Sequence, residues 1–264
     1  MVSRFIKRAL ISAPFLFVLW SGAQPGVARD SNCAPGQFDD QVTVRYVYDG
    51  DTVQLADGRR VRLIGINTPE REHDDRPAEA YAERARQRLV QWQQASNRWQ
   101  LVYDKDRHDR YGRLLAHVFD RQGRNITQQL LREGAGQLLV IPPNLKYLDC
   151  YRHAQQAARE AHAGLWALPE YQPLAAQQLE ASVRGYHIVT GRLSRIGESR
   201  SSLWLNLGRS FALRIKKAEL SYFNRQALEN RVGKTLTAQG WIYQYRGQLR
   251  MRLRHPAALI DPGP

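Results

Sequence analysis

The chain has few cysteines, few acidic residues toward its C-terminal end and, beyond residue 20, no long apolar run. Its two cysteines, Cys33 and Cys150, leave room for one bridge, with two buried thiols as the alternative. The histidines, His187 and His255 among them, form no ligand-spaced cluster, so no zinc site is expected. A membrane-spanning helix needs about 20 apolar residues. No segment after Trp20 supplies them, so no integral span is expected in the mature chain.

The N-terminal residues read as a targeting segment. Arg4, Lys7 and Arg8 precede an apolar run from Ala9 to Trp20 and small residues ending at Gly26-Val27-Ala28. This pattern predicts an export signal over residues 1–28 and a periplasmic or secreted product, with an uncleaved anchor as the alternative. Export makes a Cys33–Cys150 disulfide chemically allowed. A bridge closing a loop of roughly 100 residues would stabilise the chain by about 4–5 kcal/mol on a chain-entropy argument.

Charge is unevenly spread. Residues 29–184 hold 22 Lys/Arg against 21 Asp/Glu, whereas residues 185–264 hold 14 against 4. The basic excess in the last third points to a polyanionic partner, either nucleic acid or an anionic envelope surface.

Alternation and turn chemistry divide the chain into two β-rich modules. Strands are predicted over Val42–Tyr48, Thr52–Leu55 and Arg60–Ile66, the last two joined at Asp57-Gly58. A helix follows from Pro77, its apolar face formed by Ala78, Tyr81, Ala85, Leu89 and Trp92. Strands at Trp99–Tyr103 and Leu114–Phe119 precede a short helix capped by Thr127 and a longer one over Leu145–Ala163. Residues 167–184, with Pro169 and Pro173, read as a linker. Beyond it lie strands at His187–Ile196, Ser202–Leu207, Phe211–Lys216, Lys234–Tyr243 and Gln248–Arg254, with a helix over Glu219–Asn230. Five strands with a helix after the third is the order of an OB-fold. The expected domains are a catalytic module over residues 29–166 and a basic OB-like module over residues 185–264.

Three segments carry candidate chemistry. Asp49-Gly50-Asp51-Thr52 is either a plain turn or a pair of carboxylates beside a hard cation. Asn67-Thr68-Pro69-Glu70 follows the strand bearing Arg62; it offers neutral oxygens and one carboxylate able to act on water, or else a solvated loop glutamate. Asp109-Arg110-Tyr111-Gly112-Arg113 is a charged turn in which Arg113 can fork onto phosphate and Tyr111 can cover a sugar or base.

In this order the three segments resemble the staphylococcal nuclease (thermonuclease-like) family, over about residues 42–166. The resemblance implies an OB barrel with helices, a mainly β, α+β fold, and calcium-dependent hydrolysis of DNA and RNA. It implies Asp51, Asn67 and the Thr68 carbonyl as cation ligands, with Asp49 in the outer shell. Glu70 would act on water, Arg62 and Arg113 on the phosphate, and Tyr111 on the nucleotide. Asn67 stands where the founding member has a carboxylate, which removes one negative charge and leaves magnesium as an alternative cation. Val140 and Pro142 stand where that enzyme has nucleotide-flanking tyrosines.

In the C-terminal module Arg250, Arg252 and Arg254 alternate along one strand and are expected to bind substrate. Trp204, Phe211, Trp241, Tyr243 and Tyr245 are candidate stacking platforms or ordinary core aromatics. The reading is an exported, metal-dependent nuclease of low sequence specificity. Its alternative is a non-catalytic protein on the same fold that binds nucleic acid or the envelope surface.

Overall fold

A computed structural model describes residues 33–72 and 77–260. The expected export signal and His73, Asp74 and Asp75 of the loop after Glu70 lie outside the described residues.

Strands β1 (Asp40–Val47), β2 (Thr52–Leu55) and β3 (Arg60–Leu63) form an antiparallel meander. The predicted third strand is split. At Gly65 the chain turns with φ 93°, and Ile66–Asn67 becomes a separate strand, β4. A Cβ on Gly65 would come within 2.4 Å of the Tyr151 ring, so the turn is possible only where no side chain intervenes.

Helix α1 (Ala82–Ala95) starts later than Pro77 because Tyr81 adopts φ 73°, which no helix continues through. Ala82, Ala85 and Leu89 bury its inner face. Strands β5 (Arg98–Val102) and β6 (Leu114–Phe119) follow. Parallel pairing of β3 with β6 and antiparallel pairing of β5 with β1 close a five-stranded barrel. Val44, Val53, Leu55, Val61, Leu63, Leu101, Ala116 and Val118 fill it.

Helix α2 (Ile126–Arg132) is capped by Asn125, whose side chain accepts the Gln128 N–H, rather than by Thr127. Thr127 lies inside the helix and donates its hydroxyl to the Ile64 carbonyl at 3.2 Å. Strand β7 (Gln137–Leu138) pairs with β4, and α3 (Leu148–Glu160) packs on α2. Cys33 and Cys150 form a disulfide with Cα atoms 5.4 Å apart, tying the segment before β1 to α3.

After a tight turn at Gly164–Ala167, the segment expected as a linker carries another at Pro169–Tyr171 and a strand, β8 (Leu174–Ala175). β8 joins the second sheet beside β9 (Gly185–Glu198). The neighbouring Ala176 is fully buried in that sheet's core.

Strands β10 (Ser202–Leu207) and β11 (Phe211–Lys216) continue the meander. A tight turn at Lys217–Tyr222 and a short helix α4 (Arg225–Glu229) replace the single helix expected over Glu219–Asn230. Asn224 starts α4 by accepting the Ala227 N–H. Strands β12 (Thr235–Tyr245), β13 (Gln248–Leu253) and β14 (Leu259–Ile260) complete the chain.

Strand β11 runs parallel to β13, and β12 returns antiparallel to β9, closing a second barrel with the same connectivity as the first. The architecture is therefore mixed α+β with two closed five-stranded barrels. Between them Ala158, Leu165 and Trp166 of the first module pack on Ile188 and Ile260 of the second. Among the described residues no helix is long and apolar enough to cross a membrane.

Candidate active site

The turn from β1 to β2 places Asp49, Gly50 and Asp51 against the chain leaving β4. Gly50 makes the approach possible, since a Cβ there would lie 2.7 Å from the Thr68 side chain and 2.9 Å from Ala85 Cβ. Across this contact the Thr68 N–H and hydroxyl both donate to Asp51 Oδ2, at 2.9 and 3.1 Å. Thr52 donates its hydroxyl to Asp51 Oδ1, and the Asp51 N–H donates to Asp49 Oδ1 at 2.9 Å.

Arg62 of β3 points into the same place. Its Nη2 is 2.9 Å from Asp51 Oδ2, while Nη1 donates to the carbonyls of Leu63 and Ile66. The side chain is only 12% exposed, so the guanidinium is held rigidly on three acceptors. An arginine has five N–H donors in a fixed fork, and this arrangement leaves some of them for a ligand.

Asn67 is 7% exposed and lies opposite Gln137 across the β4–β7 pair. Burial, and next the charge of Asp51, push the Asp49 carboxyl up to about 7. Two adjacent carboxylates beside an amide oxygen are a donor set that a hard cation would satisfy. Among the described residues no group of three or more His, Cys, Asp or Glu gathers, so any cation here would depend on neutral oxygens as well.

Glu70 is exposed at the rim of this cluster. Its backbone N–H donates to Glu79 Oε2 at 3.0 Å, and its carbonyl accepts the Glu79 N–H at 2.8 Å. This double contact fixes the backbone at Glu70; it is not readable from sequence, because Glu79 falls within the helix predicted from Pro77. Desolvation and then the charge of Asp51 raise the Glu70 carboxyl above the ordinary range, against the opposing pull of Arg62 and Arg113. The carboxylate therefore lies within electrostatic reach of all three sequence segments.

Arg113 sits where the Asp109–Arg113 turn enters β6. Asp109 accepts the backbone N–H groups of Tyr111 and Arg113 and the Arg113 Nε–H, the last at 2.7 Å. The Arg113 terminal nitrogens stay clear of that pair. Tyr111, 67% exposed, lies beneath the guanidiniums of Arg110 and Arg113.

The three C-terminal arginines fall elsewhere and behave differently from one another. Arg252 forks onto Glu219, and Arg254 Nη1 is 4.0 Å from the same carboxylate. Arg250 instead lies between the rings of Trp204 and Tyr245. That Glu219 claims two arginines far along the chain is not readable from sequence.

Comparison with known proteins agrees with the geometry. The staphylococcal nuclease homologue family matches residues 60–168. Endonuclease YncB of Bacillus subtilis is 35% identical over 135 residues, covering 49% of this chain and 63% of that protein. The SPbeta prophage-derived endonuclease YokF of the same organism is 34% identical, covering 49% of this chain and 45% of its own length. The chain thus spans about half to two thirds of these two relatives. A thermonuclease of Staphylococcus intermedius is 34% identical over 126 residues, which are 47% of this chain and 74% of the thermonuclease. With 74% of a thermonuclease matched at 34% identity and the family matching residues 60–168, the chain belongs to the staphylococcal nuclease family.

Proposed function

We propose that the protein is an exported, metal-dependent nuclease that hydrolyses phosphodiester bonds of DNA, RNA or both with low sequence specificity. The observation that carries this reading is the convergence on Glu70: one exposed carboxylate faces Asp51 and two arginines held on separate elements. A protein that only bound nucleic acid would have no use for a basic carboxylate between two phosphate-binding guanidiniums.

In this reading Glu70 accepts a proton from water as its oxygen attacks phosphorus. The ester P–O bond opposite then breaks, and the leaving oxygen takes a proton from solvent. Arg62 and Arg113 hold the phosphate oxygens and offset the charge that grows on them. Asp51, Asn67 and the Thr68 carbonyl would hold calcium or magnesium, with Asp49 behind them. When bound, the cation supplies further positive charge against the phosphate. Tyr111 covers the nucleotide. The Cys33–Cys150 disulfide suits an oxidising compartment and so supports export.

The test is digestion of a plasmid and of an RNA by the wild type and Glu70→Gln, with calcium, with magnesium or with EDTA. Cleavage should stop in EDTA and return with calcium. Glu70→Gln should be inactive with its thermal transition unchanged. Full activity in that variant, or cleavage indifferent to EDTA, would overturn the assignment.

A further inference from the structure

The outward face of the second barrel gathers arginines and aromatic rings from four neighbouring strands and the β12–β13 turn. Trp204 of β10 lies opposite Arg214 of β11, and Arg250 of β13 lies between Ala212 and Tyr243 in register. Because Ala212 is small, the Arg250 side chain can cross it and reach the neighbouring strands. Its guanidinium centre is 4.5 Å from the Trp204 ring centre and 4.8 Å from that of Tyr245. Arg214 lies 5.3 Å from Trp204, and Arg246 lies 5.4 Å from Tyr245. The result is a ladder of alternating planar rings and guanidiniums. Ser199 fixes the Trp204 end by accepting the indole N–H at 3.1 Å.

Among the described residues no carboxylate pairs with Arg214, Arg246 or Arg250. Arg250 Nε is buried without a hydrogen-bond partner, and Nη2 reaches only Gln248 at 3.3 Å. Tyr245 is 50% exposed. A face that leaves three arginines unpaired while keeping aromatic rings at the surface has charge for phosphates and planes for bases. A duplex hides the faces of its bases, and an anionic lipid surface needs charge without ordered rings.

Arg252 and Arg254, farther along the chain, are not part of the ladder, because Glu219 holds both.

We propose that the β10–β11–β13–β12 face of the second barrel binds single-stranded nucleic acid, with Trp204, Arg250 and Tyr245 as its stacking ladder and Arg214 and Arg246 on the phosphates. Binding itself needs no catalysis. Delivery of the strand to the first barrel rests on the nuclease reading.

The test measures fluorescence anisotropy of a labelled 20-nucleotide single strand and of the matching duplex in EDTA, where no cleavage occurs. The single strand should bind more tightly than the duplex. Tyr245→Ala, Trp204→Ala and Arg250→Gln should each weaken it on the order of tenfold. Tyr245 is exposed enough that its variant should fold normally, which a thermal melt checks. With calcium, the wild type should hydrolyse bis(4-nitrophenyl) phosphate, a small ester that does not need the second barrel. Unchanged single-strand affinity in Tyr245→Ala and Arg250→Gln, or equal affinity for the duplex, would overturn the proposal. So would variants that keep the single strand but lose phosphatidylglycerol vesicles. A wild type that binds the strand yet hydrolyses neither ester nor DNA would overturn the nuclease reading and leave this one standing.

Discussion

The two barrels share one connectivity but hold the arginines of their proposed sites differently. At the candidate active site Arg62 is clamped by Asp51 and Arg113 by Asp109. On the outward face of the second barrel Arg214, Arg246 and Arg250 lie on aromatic rings and, among the described residues, pair with no carboxylate, whereas Arg252, on the strand of Arg250, forks onto Glu219. A carboxylate clamp gives a guanidinium one direction, which suits groups that must meet a phosphate in a defined geometry. A ring holds the guanidinium's plane but leaves its donors open, which suits a surface that accepts many sequences. Residues 29–184 are nearly balanced in charge and residues 185–264 strongly basic, in keeping with this contrast.

The largest test of the contrast is covalent. Among the described residues the one disulfide ties only the first barrel, so reduction should destabilise that barrel by about 4–5 kcal/mol and leave the second unaffected. Thermal melts with and without dithiothreitol should show one early transition in the reduced protein. An unchanged melting profile would mean that the interface, and not the bridge, sets the first barrel's stability.

The arginine clamp gives the next largest effect. Arg62→Ala should lower kcat/KM by about 10²–10³. It also leaves Asp51 buried without its cation, at a cost of about 3 kcal/mol in stability. Glu70→Gln should show the first loss without the second. Arg250→Ala in the other barrel should cost little stability, since it strands no carboxylate. Equal stability losses in Arg62→Ala and Arg250→Ala would erase the distinction between the barrels.

Acid should also separate them. Asp104, in the first barrel, is held down at about 2: burial raises its carboxyl, but His117 and the backbone N–H groups of Lys146 and Lys105 outweigh burial. A depressed carboxyl contributes stability that is present above its unfolded value and lost as pH falls through the folded one. Here the window runs from about 4 down to about 2 and is worth on the order of 2 kcal/mol. Buried His117, depressed by burial, acts in the same direction as pH falls below its ordinary 6.5. Asp104→Asn should flatten the decline of the melting temperature between about pH 4 and pH 2; an equally steep decline would remove Asp104 as its cause.

Much of both barrels is legible in sequence because their strands alternate or are bounded by turns. Ser202–Leu207 and Phe211–Lys216 alternate buried and half-buried residues over most of their length, and Leu114–Phe119, buried at five of its six positions, is bounded by its flanking turns. The candidate site is legible because its residues sit in three short turns beside strand ends. What escapes is whatever depends on distant partners. The break at Gly65 is set by the Tyr151 ring, the cap at Asn125 by competition with Thr127, and the fate of Arg252 by Glu219. Strand β8 escapes because two residues carry no periodicity; only β9 gives them a sheet to join.

The smallest effect probes the join between the barrels. Leu138 of β7 donates its N–H to Gln155 Oε1 at 2.7 Å, and its carbonyl accepts from Gln239 Nε2 at 2.9 Å and Tyr186 Oη at 2.8 Å. Gln155 donates in turn to Gln239 Oε1 at 3.3 Å. Two side chains of the second barrel therefore hold β7, and β7 pairs with β4, where Asn67 lies opposite Gln137. Gln239→Leu removes one donor to a carbonyl that keeps Tyr186, and also the acceptor of the Gln155 amide, so the stability cost should be about 1–2 kcal/mol. If the join serves the candidate site, the calcium concentration for half-maximal cleavage should rise in Gln239→Leu, and Asn67→Asp, which restores a charge at the site, should offset that rise. A loss of stability with an unchanged calcium response would mean that the second barrel props up β7 without tuning Asn67, and would confine its contribution to the face that carries Trp204, Arg250 and Tyr245.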